Sequence, residues 1–158
     1  MAAITTIQPA LTTPGYQKLE TIAILNQTAA STAVNKAVPV PPFAKYAIFV
    51  VDWTTIGGTT PSADFDIRGV DVAVTQPPDD GDLFVLRDGF SYTAKTAASV
   101  STIHIGPGLT EELTGSATAN DSYALSVPLP PWLVYTYTTT DSADDADYNA
   151  TISVYWKA

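Results

Sequence analysis

The chain has a single histidine, His104, and no cysteine. Nucleophilic, acid–base and metal chemistry rest most often on these residue types, so their scarcity narrows the field. His104 stands between Ile103 and Ile105, an alternation that puts the imidazole on the opposite face of a strand from its neighbours. A Ser-His-Asp triad would need it as the base, and no Gly-x-Ser-x-Gly elbow supplies a nucleophile. A surface or interface histidine is the plainer reading. Zinc-type ligation lacks thiolates, a second imidazole and a His-Glu-x-x-His run. No Gly-x-Gly-x-x-Gly or Walker sequence is present, which removes the common nucleotide signatures. No catalytic, cofactor-binding or metal-binding residue is assigned, and none of the readings below makes the chain an enzyme.

The carboxylates cluster in three places. Asp64-x-Asp66-x-x-Gly69 resembles the opening of an EF-hand loop, but Arg68 sits at its fifth position and Thr75 where the bidentate Glu belongs. The alternation of Phe65 and Ile67 makes this stretch a strand instead. Asp79-Asp80-Gly81-Asp82 and the group Asp141, Asp144, Asp145 and Asp147 read as solvated acidic loops, with weak calcium sites as the alternative. A carboxylate pair for glycoside hydrolysis is a matter of separation in space, and none is assigned. Asn26-Gln27-Thr28, Asn120-Asp121-Ser122 and Asn149-Ala150-Thr151 match the glycosylation pattern. The start, Met1 to Thr6, has neither the basic nor the apolar region of a signal peptide, so these matches are read as chance.

Aromatic side chains are the remaining candidates. Trp53, Trp132 and Trp156, with Tyr46, Tyr135, Tyr137, Tyr148 and Tyr155, fall on or beside predicted strands. Core packing accounts for most of them. A flat exposed row would suit sugar rings or a protein partner.

The elements that would position these residues are strands. A chain of 158 residues is most simply one domain with a core of its own, and 46% apolar against 15% charged residues makes it globular. A net charge of −9 repels phosphate backbones and anionic bilayers, so neither nucleic acid nor membrane is an expected partner. The longest apolar run, Tyr46 to Val51, is too short to span a bilayer.

Two segments share one pattern: Val38-Pro39-Val40-Pro41-Pro42-Phe43 and Val127-Pro128-Leu129-Pro130-Pro131-Trp132. Proline fixes φ, removes a backbone donor and pushes its predecessor toward extended geometry. Each unit therefore reads as a stiff crossover carrying the chain from one sheet to another. Each leads into a strand-like run, Lys45 to Trp53 and Trp132 to Thr140. The first is apolar at nearly every residue, as in a strand covered on both faces.

Further strands are expected at 20–27, 33–38, 64–75, 100–105, 122–127 and 148–156. In 64–75 the apolar phase slips at Arg68-Gly69, which predicts a β-bulge at Gly69. Leu83 to Arg87 and Phe90 to Lys95 read as a hairpin through Asp88-Gly89. Thr110-Glu111-Glu112-Leu113 could form one helical turn. The fold class that follows is all-β: an antiparallel β-sandwich of jelly-roll or immunoglobulin-like topology, with eight or nine short strands. Residues 1–19 form an extended N-terminal arm and residues 20–158 a single domain.

The Thr- and Ala-rich, cysteine-free strands carry a likeness, together with the run Ile103-His104-Ile105-Gly106-Pro107-Gly108, the Val127–Trp132 crossover and the final strand Ile152-Ser153-Val154-Tyr155-Trp156. In these features the chain resembles head decoration (cement) proteins of tailed bacteriophages. The resemblance implies a structural virion protein bound to the outer surface of the capsid. Its partners would be the major capsid protein and further copies of itself, as a trimer ahead of a dimer, with no cofactor. It would bridge neighbouring capsid subunits, with the arm contributing, and act by avidity on a symmetric lattice. The alternative is a carbohydrate- or receptor-binding module of a phage tail or fibre, or a neck or tail-completion subunit.

Overall fold

Burial alternates along most of each long strand, broken by buried runs at Leu133–Tyr135 and Ile152–Val154, as expected when one face of a sheet packs on a core and the other is only partly covered. Inward-facing residues are Ala47, Phe49, Val51 and Trp53 of β4 (Tyr46–Gly57) and Ala63, Phe65 and Ile67 of β5 (Ser62–Val70). They are joined by Ile103 and Ile105 of β7 (Ser99–Ile105) and by Leu133, Tyr135 and Tyr137 of β9 (Trp132–Thr140). From β10 (Asp147–Lys157) come Tyr148, Ala150, Ile152, Val154 and Trp156. A computed structural model of the chain describes residues 4–6, 17–18, 32–70, 83–142 and 147–158, with side chains described over 36–70, 83–142 and 147–158. The remaining strands are β1 (Ile4–Thr6), β2 (Gln17–Lys18), β3 (Thr32–Pro39), β6 (Phe84–Val85) and β8 (Asp121–Leu125).

Two sheets form, in the orders β1-β3-β9-β5-β6 and β2-β10-β4-β7-β8. Their inner faces share one core, so the fold is an all-β sandwich. Among the described residues there is no helix. β1 with β3 and β7 with β8 run parallel, and the other described pairings are antiparallel. Aromatic rings link the sheets at the centre: Phe49 lies 6.1 Å from Phe65 and 5.9 Å from Tyr135 between ring centroids. The arm contributes only β1 and β2 to the described structure. They extend β3 and β10, at one side of the sandwich.

Both proline units are sheet-to-sheet crossings. The first carries the chain from β3 in one sheet to β4 in the other, and the second returns it from β8 to β9. They run side by side, with Val40 N donating to Pro131 O at 2.9 Å. Having few donors of their own, these segments leave few unmet bonds at the end of the sandwich.

Several expectations need correction. β5 keeps an unbroken register with β9 from Ser62 to Val70, so no bulge falls at Gly69. Glycine is required there because a Cβ would lie 2.6 Å from Cζ of Phe84 and 2.8 Å from Cδ2 of Leu86. Val70 faces outward and packs with Ala37 and Val134 in a small second cluster beside Leu83 and Trp132. The irregularity lies in β4 instead, where Asn149 pairs with Thr55 but Ala150 with Trp53. Thr54 is the extra residue, and its hydroxyl donates to Asn149 O at 3.1 Å.

The Asp88-Gly89 turn forms, with Gly89 at φ 83° and Phe90 N donating to Arg87 O at 3.2 Å. Its arms do not pair with each other. β6 pairs with β5, and Lys95 bridges to Ala63. The 110–113 stretch is extended rather than helical, since Glu112 and Ala124 exchange backbone hydrogen bonds of 3.1 and 2.9 Å. The outer face of β4, expected to be covered, is only partly buried at Tyr46, Ile48 and Val50. The strand expected at 20–27 lies outside the described residues.

Candidate interaction surface

His104 sits on the outer face of β7, opposite Ile48 of β4 and Ala124 of β8. It borders a shallow depression of about 310 Å³ with Tyr46, Ala47, Ile48, Ile105, Leu109 and Lys157. Among the described residues no serine or aspartate lines that depression, so they assemble no triad around the imidazole. Gly106 permits the depression's shape: a Cβ there would overlap the Tyr46 ring.

The aspartates are consumed locally. Asp66 pairs with Arg68 at 2.8 Å on the exposed face of β5. Asp64 caps the backbone N–H of its neighbour Phe65 at 2.8 Å. Burial raises the Asp64 carboxyl above its ordinary range, with that N–H opposing the shift. Asp141 accepts from Thr60 N at 2.9 Å and Ser142 N at 2.6 Å, and its carboxylate fills the space a Gly58 side chain would need. Residues 79–82, 144 and 145 lie outside the described residues. Among the described residues, no three of His, Cys, Asp and Glu gather as metal ligands.

Of the aromatic candidates, Trp53, Trp156, Tyr135, Tyr137 and Tyr148 are core residues. Tyr148 works across the sheets: its hydroxyl donates to Thr140 O and accepts from Ser62 N at 3.0 Å. Tyr46 and Tyr155 are partly exposed on the outer face of one sheet and Trp132 on that of the other, so the three do not form one row.

Sequence reading missed Lys95, which is completely buried. Its backbone N and O both bond to Ala63 of β5, at 2.7 and 2.8 Å. Its Nζ donates to Ser116 O, to Ala119 O at 3.0 Å and to Asp121 Oδ2 at 2.7 Å. The same carboxylate oxygen accepts from Ser116 N at 2.9 Å and from the Tyr123 hydroxyl at 3.2 Å. Burial alone would raise the Asp121 carboxyl, but hydrogen bonds from Lys95, Ser101 and Ser116 outweigh it and hold the group below its ordinary range. With its Nζ spent on three acceptors and the side chain completely buried, Lys95 is placed as a structural tie and not as a nucleophile. It clamps the 116–121 loop and the edge strand β8 onto β5 of the opposite sheet. The flanking sequence, Thr93-Ala94-Lys95-Thr96, carries no signal of this, because the partners arrive from more than twenty residues away.

Among the described residues the exposed large hydrophobic ones are Phe84 (38% exposed) and Val85 (53% exposed), which together make up β6. β6 ends its sheet, and beside it runs a groove of about 330 Å³ lined by Phe84, Leu86 and Val127 through Pro131. A second depression adjoins it, bordered by Val85, Leu86, Val127 and a forked ion pair. In that pair Arg87 Nε meets Glu111 Oε1 at 2.6 Å and the guanidinium's second nitrogen meets Oε2 at 2.8 Å. The groove is apolar and walled by the second proline crossover, with Phe84 and Leu86 on its other side.

No family model matches the chain, and no curated protein matches it either. Among solved structures it is similar to CorA, described as a surface-associated copper-binding protein important in copper acquisition by Methylomicrobium album BG8. The identity is 10%, the coverage 99% of this chain and 100% of that one, and the TM-score 0.36. A score this low carries no argument about fold or function.

Proposed function

We propose that the chain is a non-enzymatic structural protein of a tailed-phage virion, a head decoration protein that binds the outer surface of the capsid and bridges major capsid subunits. The observation that carries this reading is where exposure and chemistry lie. The exposed large hydrophobic residues gather at the β6 edge beside a proline-walled groove, whereas Lys95, Asp121, Tyr123 and Tyr148 are tied up in holding the sandwich together. A rigid sandwich with an apolar docking edge suits a cement role, in which many modest contacts on a symmetric lattice add up. The resemblance in the Val127–Trp132 crossover and the 103–108 run supports the same reading.

Antibody labelling of intact particles tests it. Labelling of undisturbed heads at many sites is the expected result. Labelling only of disrupted particles, or only at the tail, would contradict it. The binding-module alternative draws on the depression bordered by Tyr46, His104 and Lys157, with polar and aromatic groups side by side. Retention of the chain on host polysaccharide would favour that alternative.

A further inference from the structure

We propose that the depression beside His104 binds a small organic acid, one carboxylate carried on an apolar ring or chain. The site lies at one end of the outer face of β10, β4 and β7. Lys157 stands opposite Tyr46, and Ile48 opposite His104. Their strand neighbours Ala47, Ile105 and Trp156 are buried in the core, so these four side chains share the outer face. The Tyr46 ring lies over Gly106, where a Cβ would overlap it. Past the turn at Gly108, with φ 74°, the chain returns and Leu109 joins the lining.

The lining selects the ligand. Tyr46, Ile48 and Leu109 present an aromatic face and hydrocarbon, which suit an apolar body. His104 and Lys157 add an imidazole and an ammonium, and both can donate to a carboxylate. A lysine ammonium has three donors, so it can serve a neighbour and a ligand together. Among the described lining residues there is no Asp, Glu, Asn or Gln. A sugar would bury hydroxyls against Ile48 and Leu109 without the carboxylates and amides that satisfy them, at a cost in free energy. An apolar acid makes no such demand, which separates it from the sugar of the binding-module alternative. At about 310 Å³ the depression is near the lower end of small-molecule sites, so it takes one small molecule.

Charge favours an anion at this end of the molecule. At a net charge of −9 most of the surface repels an acid. Exposed Lys45 donates its backbone N–H to Lys157 O at 2.8 Å, which adds a third basic residue to the same strand end. The Asp141 and Asp147 carboxylates belong to the other end. Asp147 and Lys157 are the first and last residues of β10, about 33 Å apart along the strand. That is several times the screening length of ~8 Å at physiological salt, so those carboxylates leave the basic end its charge.

The test titrates isotope-labelled full-length chain with 3-phenylpropionate and follows the backbone amide NMR shifts. A saturable response centred on Tyr46, Ile48, His104 and Leu109 is expected, with Phe84 and Val85 of β6 unmoved. The uncharged 3-phenylpropionamide should bind about tenfold more weakly or worse, since it forfeits charged hydrogen bonds. Glucuronate, which keeps the carboxylate on a sugar ring, should also bind more weakly. His104→Leu, which removes a donor and keeps the bulk, should weaken 3-phenylpropionate by about tenfold. Ile48→Glu, which puts a like charge into the depression, should abolish binding, and Leu109→Glu takes its place if that variant fails to fold by near-UV circular dichroism. No saturable response, a response centred on β6, an amide that binds as well as the acid, or folded variants that bind like the wild type would each overturn the proposal. Glucuronate binding more tightly than 3-phenylpropionate would overturn it in favour of a sugar. No capsid is present in the assay, so its failure leaves the proposed shell binding to be judged separately.

Discussion

Replacing Lys95 by methionine removes one buried charge and keeps most of the hydrocarbon. The carboxylate of Asp121 then loses its counter-ion, and the carbonyls of Ser116 and Ala119 lose their donor. Both charged side chains are out of water, at 0% and 7% exposure. Breaking one half of such a pair costs about 3–5 kcal/mol, because the surviving charge is stranded. For a chain of this length that lowers the melting temperature by about 6–20 °C.

The effect has a pH signature. In the wild type the Asp121 carboxyl lies below its unfolded value. The pair's contribution is therefore complete above about pH 4 and is lost as the pH falls through the lower, folded-state value. In Lys95→Met the stranded carboxyl is raised by burial and can be protonated, so the variant recovers relative to the wild type as the medium is acidified. Urea denaturation at pH 7 and pH 4 measures both. A variant within about 1 kcal/mol of wild type at pH 7, or a deficit that does not shrink toward pH 4, would refute the clamp. The double variant Lys95→Met/Asp121→Leu should regain part of the loss, since no charge is left unpaired while the Ser116 and Ala119 carbonyls and Ser116 N still lack their partners.

Two further outcomes follow from the packing. Gly106→Ala should displace the Tyr46 ring and cost about 1–3 kcal/mol, measurable as a lowered denaturation midpoint with near-UV circular dichroism reporting the ring. Burial raises the hydroxyls of Tyr92, Tyr123 and Tyr148 above their ordinary value, so the folded chain holds these protons longer than the unfolded one. Stability should fall as the pH rises above about 10, and an alkaline absorbance titration should show these three phenols ionising late or together with unfolding.

The long strands were legible in the sequence because period-2 patterning is local. β9 begins and ends at the expected residues, and the alternation in 148–156 places five side chains in the core. The proline crossovers were legible for the same reason, since their constraint is written residue by residue. What escaped depends on distant partners. Gly69 looked like a bulge because its phase slips, yet the cause is the pair of side chains at Phe84 and Leu86 lying across it. β8 runs parallel to β7, an arrangement set by a connection of fifteen residues that no local pattern encodes. Of the candidate site, His104 was correctly placed facing away from Ile103 and Ile105. The β6 edge was read as half of a hairpin, and its exposure depends on β5 taking it instead. Lys95 gave no signal at all, because burial of a lysine depends on acceptors supplied by another loop.

The central claim is that this chain decorates a capsid. The most direct measurement is its copy number in purified particles, by quantitative mass spectrometry against the most abundant shell protein. The account predicts a ratio near one or a simple fraction such as one third, the stoichiometry of a protein on a symmetric lattice. A handful of copies per particle, or none, would contradict it.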